Sequence, residues 1–172
     1  MKSVTIAIPI FDESADYILQ TIFAAKLQTY KNIEVFVITK DGGKITESLK
    51  QLDKVRIMTV KDSGIYTLVD MLNLAILENK NDCINFVPQT CQLNSVKTEY
   101  QMQRMFDNKQ YHISSTGGIS VQKRLNKIIS IAEKISDEFN VIAGHDLMNI
   151  LQKSINKISY HYPITAGLIY DK

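Results

Sequence analysis

The sequence has little of several residue types that mark specialised protein classes. Among its 172 residues are only 3 Pro and 7 Gly, and no segment repeats, which excludes disordered, collagen-like and solenoid proteins. The two cysteines, Cys83 and Cys91, lack the spacing of a zinc site or of a disulfide framework. We therefore predict that both cysteines are packing residues.

An excess of charge of one sign is also absent. The 20 Lys and Arg residues almost balance the 18 Asp and Glu residues, so the net charge of +2 argues against a nucleic-acid-binding face. No apolar run approaches the ~18 residues of a membrane-spanning helix, and residues 1–3 lead into a strand-like segment rather than a signal peptide. We expect a soluble cytoplasmic protein with no transmembrane segment.

The residues that are present indicate an ordinary globular domain. The sequence is 45% hydrophobic, which suits one domain over residues 1–172. Apolar, β-branched segments alternate with segments of helical apolar spacing, and this alternation predicts an α/β fold with a mostly parallel sheet and helices on both faces. The predicted strands are residues 4–10, 33–38, 55–60 and 83–87, and the predicted helices between them are residues 15–27, 46–52 and 65–77.

The second half of the sequence is less regular. Apolar spacing predicts helices, and β-branched runs predict strands, with no linker between the halves. The predicted helices are residues 96–106, 125–135 and 147–155, and the predicted strand segments are residues 110–121, 157–160 and 164–170.

In open parallel sheets, ligands bind beyond the carboxyl ends of the strands. Four loops follow the predicted strands at that edge: residues 11–14, 39–44, 61–64 and 88–92. We therefore predict that Phe11, Asp41, Asp62 and Gln89 lie along one edge of the sheet.

Four segments resemble the family 2 glycosyltransferases of the GT-A fold, whose fold is Rossmann-like. Residues 4–13 (VTIAIPIFDE) look like that family's opening strand and its Pro-x-Tyr-Asn turn, and residues 27–35 (LQTYKNIEV) are close to its Gln-Thr-Tyr-x-Asn-x-Glu segment. Residues 61–66 (KDSGIY) match its Asp-x-Gly-Ile-Tyr stretch, and residues 143–147 (AGHDL) are similar to its Ala-Asp-x-Asp-Leu helix. The resemblance spans nearly the whole chain.

This resemblance implies transfer of a sugar from a nucleotide-sugar, such as a UDP-sugar, to a glycan or lipid-linked acceptor. It implies a nucleotide-binding half over residues 1–92 and a shortened acceptor half over residues 93–172. Asp146, with His145 beside it, is the candidate for the catalytic base. The implied nucleotide-sugar-binding residues are Phe11, Asp12, Glu13, Asp41, Gly42, Asp62 and Gly64.

Simpler structural roles remain open for several of these residues. Asp41-Gly42 is also common turn chemistry, and Asp62 could cap the helix predicted to follow it. Asp146 could serve as the first-turn charge of a helix.

The metal motif of the family is lost in this sequence. The family coordinates Mg²⁺ or Mn²⁺ through Asp-x-Asp, whereas this chain has Gln89, Thr90 and Cys91 at the matching place. Gly144 stands where the family's catalytic base is expected. The sequence therefore predicts no metal cofactor, and slow or absent sugar transfer.

Two functions stay open on this basis: a glycosyltransferase with weak turnover, or an inactive interaction module that keeps the fold. In a protein without a metal, lysines and arginines could neutralise a diphosphate, although they could equally form a solvated surface. The candidate cations are Lys40, Lys44, Lys54, Arg56 and Lys61.

Overall fold

The computed structural model describes residues 1–11, 17–40, 44–61, 68–107, 113–114, 120–124, 127–131 and 169–171. In chain order the elements are β1 (Val4–Pro9), α1 (Ile18–Lys26), β2 (Ile33–Lys40), α2 (Lys44–Lys50), β3 (Val55–Val60), α3 (Leu68–Leu77), β4 (Cys83–Phe86), α4 (Lys97–Asp107), β5 (Ile113–Ser114), β6 (Ser120–Arg124), β7 (Lys127–Ile131) and β8 (Ile169–Asp171).

Within the described part of the chain, six strands form the main sheet, in the order β3-β2-β1-β4-β8-β5. The first four are mutually parallel, because β1 pairs in parallel with both β2 and β4, and β2 pairs in parallel with β3. The short β8 is antiparallel to β4 and to β5. This arrangement confirms the predicted α/β fold with a mostly parallel sheet.

Both faces of β1, of β4 and of the middle of β2 are buried, which explains why these segments read as largely apolar runs rather than alternating ones, whereas the edge strand β3 is half-buried. In β1, Ile6 and Ile8 pack toward α1 and α2, whereas Ala7 packs toward α3. Helix α1 supplies Ile18, Ile22 and Ala25 to the first core, at the spacing of one helix face. The predicted placement of helices on both faces is confirmed.

Helix α4 covers the sheet on the same face as α1. Its Met102 and Met105 pack with Val4, Tyr30 and Cys83 in a third buried cluster. Cys91, in the segment after β4, packs against the α1 core. Both cysteines are free thiols and act as packing residues, as predicted.

At the amino edge of the sheet a polar network ties three segments together. The Thr5 hydroxyl donates to Asn79 Oδ1 at 2.7 Å, and Asn81 Nδ2 donates to Thr5 Oγ1 at 2.7 Å and to Glu34 Oε2 at 3.1 Å. Glu34 also forms an ion pair with Arg56, with 2.9 Å between Oε1 and Nε. The turn before β4 is thereby joined to β1, β2 and β3.

The predicted helix over residues 125–135 is wrong for residues 127–131, which form β7 in an antiparallel pair with β6. Apolar residues at positions 125, 128, 129, 132 and 135 fit a helical period. However, Ile128, Ile129 and Ile131 are β-branched and favour the strand. In this segment the preference of β-branched residues for strands therefore outweighs the helical spacing of the apolar residues.

The chain divides into two compact units, Met1–Thr116 with Thr165–Lys172, and Gly117–Ile164. The main sheet belongs to the first unit and the β6-β7 pair to the second. A single domain over residues 1–172 stays a prediction, as does the helix at residues 147–155, which lies outside the described residues. No helix in the described part of the chain has the length and apolar character needed to cross a bilayer.

Candidate site at the carboxyl edge of the sheet

The strand order reverses between β1 and β4. From β1 the chain moves outward through β2 to β3, and then returns to the other side of β1 as β4. In doubly wound sheets such a reversal separates the loops beyond the two neighbouring strands and leaves a crevice that binds ligands. The segments after β1 and after β4 therefore border the candidate site.

A hydrogen bond joins the two sides of this crevice. The backbone N–H of Phe11, which follows β1, donates to Gln89 Oε1 after β4 at 2.9 Å. The Gln89 residue is 3% exposed, whereas Phe11 is 50% exposed. Two of the four residues expected at one edge are therefore brought together, with the aromatic side chain left accessible.

Helix α1 holds the segment after β4 through its first two turns. The Thr21 hydroxyl donates to the Gln89 carbonyl oxygen at 2.8 Å, and Gln92 Nε2 donates to Gln20 Oε1 at 3.0 Å. Thr21 itself is fully buried. The backbone of residues 89–92 is consequently fixed against α1 as well as against β1.

The far end of this segment is fixed by residues of the Gln-Thr-Tyr motif. The carbonyl oxygen of the buried Gln28 side chain accepts from both the N–H and the hydroxyl of Thr98, and its amide donates to the Asn94 carbonyl at 2.8 Å. The N–H of Thr29 donates to the Ser95 carbonyl, also at 2.8 Å. The motif residues therefore position the segment after β4 and the start of α4.

The residues after β4 do not fit a divalent cation. Gln89 Oε1 is already engaged by the Phe11 N–H, and burial raises the pKa of the Cys91 thiol, so that the thiolate form is disfavoured. Mg²⁺ and Mn²⁺ prefer carboxylate and other hard oxygen ligands. Among the described residues, no cluster of three or more His, Cys, Asp or Glu side chains could hold a metal ion.

Sequence reasoning did not find Lys97, the first residue of α4. Its ammonium donates to Gln101 Oε1 at 2.7 Å, and Gln101 is 1% exposed. Burial lowers the pKa of Lys97 to about 8, with the Cys91 charge acting in the opposite direction. No sequence signal distinguishes this lysine, because its burial depends on how Gln28 and Thr98 dock α4.

Two of the candidate phosphate-binding cations lie at the wrong edge. Arg56 is near the amino end of β3. Lys54 precedes β3 and has a positive φ of 59°. Arg56 is paired with Glu34 and lies over the Phe36 ring at 3.6 Å. The five residue steps from Arg56 to Lys61, beyond the carboxyl end of β3, span about 16 Å. Neither Arg56 nor Lys54 therefore borders the crevice.

Lys40 ends β2 and Lys61 follows β3, so both backbones are at the carboxyl edge. Most other residues of the predicted site lie outside the described residues, and their assignment stays a prediction. These residues are Asp12, Glu13, Asp41, Gly42, Asp62, Gly64, His145 and Asp146.

No protein-family model matches the chain, and no curated protein sequence matches it. Solved structures of TarS from S. aureus are similar in fold. TarS 1-349 aligns with a TM-score of 0.51 and 13% identity over 67% of this chain and 41% of that chain. A second TarS structure aligns with a TM-score of 0.51 and 15% identity, over 66% of this chain and 20% of that chain.

TarS 1-349 in complex with UDP-GlcNAc aligns with a TM-score of 0.52 and 15% identity, over 64% of this chain and 33% of that chain. The chain thus spans less than half the length of each of these structures. At this level of identity the likeness concerns the fold alone, an α/β fold shared with TarS.

Proposed function

We propose that the chain binds a nucleotide-sugar in the crevice between the carboxyl ends of β1 and β4. The observation that carries the proposal is the Phe11 to Gln89 hydrogen bond, which sets an exposed aromatic ring at the point where the strand order reverses. The shared fold with TarS, one of whose structures contains UDP-GlcNAc, supports a UDP-sugar as the ligand.

In this proposal the nucleoside end of the ligand lies beside Phe11. An exposed aromatic ring offers a stacking surface for a planar base. The carboxylates and glycines that follow β1, β2 and β3 would hold the ribose and the base, since these strands end at the same edge of the sheet. They are Asp12, Glu13, Asp41, Gly42, Asp62 and Gly64.

We further propose a reaction of the family 2, GT-A type, in which the sugar passes to a glycan or lipid-linked acceptor during polysaccharide biosynthesis in the cytoplasm. Asp146, with His145 beside it, would act as base on the acceptor hydroxyl. The departing diphosphate would gain no stabilisation from a metal held by residues 89–91. Lys40 and Lys61 are two cations whose backbones lie at the carboxyl edge, and they would supply less stabilisation than a coordinated divalent ion.

A second function, an inactive binding module, is favoured by the way residues 89–91 are used. The Gln89 side chain links β1 to the segment after β4, and the Cys91 thiol packs against the core, so both have structural roles instead of catalytic ones. A protein of this kind would keep the nucleotide-sugar crevice and lose the turnover.

Calorimetric titration tests the proposal. UDP, UDP-GlcNAc and GDP are titrated into the protein with Mn²⁺ and with EDTA, and nucleotide-sugar hydrolysis is followed in parallel. We expect UDP and UDP-GlcNAc to bind with affinities that Mn²⁺ changes by less than about 3-fold, because the metal ligands are missing. Absence of binding by all three nucleotides would refute the proposal.

A restored variant separates the enzyme from the binding module. The substitutions Thr90→Asp, Cys91→Asp and Gly144→Asp together return the three family carboxylates, and the single substitution Gly144→Asp serves as the control without a metal motif. We expect Mn²⁺-dependent hydrolysis only in the triple variant. Turnover of about 1 s⁻¹ or faster by the unaltered protein would contradict the role assigned to the missing carboxylates.

A further inference from the structure

We propose that Tyr17 is a second aromatic residue that contacts the base of the nucleotide in the crevice, opposite Phe11. Tyr17 directly precedes α1 and is 43% exposed. The inference rests on the proposed function, because it names a further binding residue of the same site.

The helical spacing places Tyr17 on the side of α1 that meets the segment after β4. Gln20 contacts Gln92, and Thr21 contacts Gln89. Residues three and four positions apart share one face of a helix, so Tyr17 lies on the face of Gln20 and Thr21, one turn closer to the start of α1. Tyr17 is the N-cap residue of α1, and the amino end of α1 is at the carboxyl edge of the sheet.

A continuous chain of hydrogen bonds fixes the backbone of Tyr17 relative to that of Phe11. The Tyr17 carbonyl accepts from the Thr21 N–H at 2.9 Å and from the Thr21 hydroxyl at 3.1 Å. The same hydroxyl donates to the Gln89 carbonyl at 2.8 Å, and the Gln89 side chain accepts from the Phe11 N–H at 2.9 Å. The backbones of the two exposed aromatic residues therefore belong to one hydrogen-bonded unit that includes Gln89 at the border of the crevice.

Two exposed aromatic residues on one rigid unit suit a ligand with a flat aromatic face. A base stacks on such rings, and loss of one stacking ring weakens binding of a base by about 5- to 150-fold. In a nucleotide-sugar the base and the sugar are at opposite ends of the diphosphate, so a short unit around Phe11 contacts the base end. Because Tyr17 is partly covered, we expect the lower part of this range.

Three variants test the role of Tyr17, with ligand affinity measured by calorimetry. Tyr17→Ala removes the ring, Tyr17→Phe keeps the ring and removes the hydroxyl, and Phe23→Ala is the matched control. Phe23 is an equally exposed aromatic residue, at 46%, on the outer face of the same helix. The probes are UDP, UDP-GlcNAc and inorganic pyrophosphate, and circular dichroism verifies that each variant is folded.

We expect Tyr17→Ala to weaken the binding of UDP and of UDP-GlcNAc equally, by about 5- to 30-fold, and to leave the binding of pyrophosphate unchanged. Tyr17→Phe should stay within about 2-fold of the unaltered protein, since stacking needs only the ring, and Phe23→Ala should have no effect.

The inference is overturned if Tyr17→Ala binds UDP with unchanged affinity, or if only its affinity for UDP-GlcNAc falls. It is also overturned if Tyr17→Phe loses as much affinity for UDP as Tyr17→Ala does. In each of these cases UDP binding by the unaltered protein still supports the proposed function. If the unaltered protein binds no UDP, the proposed function and this inference both fail.

Discussion

Replacing Lys97 with Met should abolish a rise in stability between pH 7 and pH 9. Burial lowers the pKa of the Lys97 ammonium from 10.5 to about 8 in the folded chain. Below pH 8 the residue is charged in both states, and the folded state carries the full cost of burying the charge. Above pH 8 the folded protein loses this proton while the unfolded chain keeps it, so unfolding takes up a proton and stability rises with pH.

The size of the effect follows from these two pKa values. At 1.36 kcal/mol per pH unit, a pKa lowered from 10.5 to about 8 corresponds to a destabilisation of about 3 kcal/mol at neutral pH, before a reduction for the partial exposure of the side chain. As the pH rises from 7 to 9, deprotonation of Lys97 in the folded state restores about 1 kcal/mol of this lost stability. From about pH 8 upward the raised pKa of the buried Cys91 thiol works in the opposite direction, because the unfolded thiol, with its ordinary pKa of 9.0, begins to lose its proton there; this offsets part of the rise and limits the window.

Urea denaturation followed by circular dichroism at constant ionic strength measures this rise. Lys97→Met also removes the donor to Gln101 Oε1, which costs about 1 kcal/mol at every pH, so the informative quantity is the slope with pH rather than the absolute stability. Lys31→Met, at an exposed position, is the matched control and should keep the rise. A flat profile in the unaltered protein, or an unchanged slope in Lys97→Met, would refute the reasoning.

Three other outcomes are expected. Asn85 is fully buried, and its side-chain oxygen and nitrogen have no hydrogen-bond partner among the described residues, so Asn85→Leu should stabilise the fold by about 1 to 2 kcal/mol in urea denaturation. A destabilised Asn85→Leu would mean that the amide is satisfied by buried water. Thr21→Val leaves the Gln89 carbonyl without its side-chain donor and should destabilise by about 1 to 2 kcal/mol, whereas Thr59→Val, at an exposed position of β3, should change stability by less than about 0.5 kcal/mol. Mn²⁺ should strengthen UDP binding at least ~10-fold in the Thr90→Asp, Cys91→Asp variant but not in the unaltered protein, and equal responses would contradict our assignment of the lost ligands.

The parallel strands could be predicted from sequence because their physical cause is local. A strand buried on both faces needs apolar or β-branched residues at most positions, as in β1 and the middle of β2, and few other environments require such a run. Helix α4 could be predicted equally well, because Met102 and Met105 recur on one face of the helix. The helix predicted over residues 125–135 was wrong for residues 127–131, because a short apolar run with helical spacing and β-branched residues fits both the helix pattern and the strand pattern.

The polar contacts of the site could not be predicted in the same way. Gln89 was identified as a missing metal ligand, and only the structure places its side chain on the Phe11 N–H. Similarly, Arg56 was a candidate for phosphate binding until its pairing with Glu34 at the opposite edge was known. Both outcomes depend on residues more than 20 positions away, which periodicity and local motifs do not encode.

The Gln-Thr-Tyr motif illustrates the difference between recognising residues and knowing their role. Gln28 and Thr29 join α1 to residues 94–98, and the Tyr30 hydroxyl donates to the Lys2 carbonyl at 2.7 Å. None of these contacts is at the crevice. The motif therefore fixes the far end of the segment whose near end borders the candidate site.

The engagement of Gln89 gives a physical reason to expect binding without a metal. For its side-chain oxygen to coordinate a cation, the amide would first have to release the Phe11 N–H, and leaving a partly buried donor unpaired costs about 1 to 3 kcal/mol. The Cys91 thiol would have to lose a proton that burial retains. Both costs would be subtracted from the binding free energy of the ion, and the remaining ligand, the Thr90 hydroxyl, is a weak one for a hard cation. In the proposed function, a nucleotide bound at this crevice would therefore depend on aromatic contacts and on cations at the carboxyl edge for its affinity.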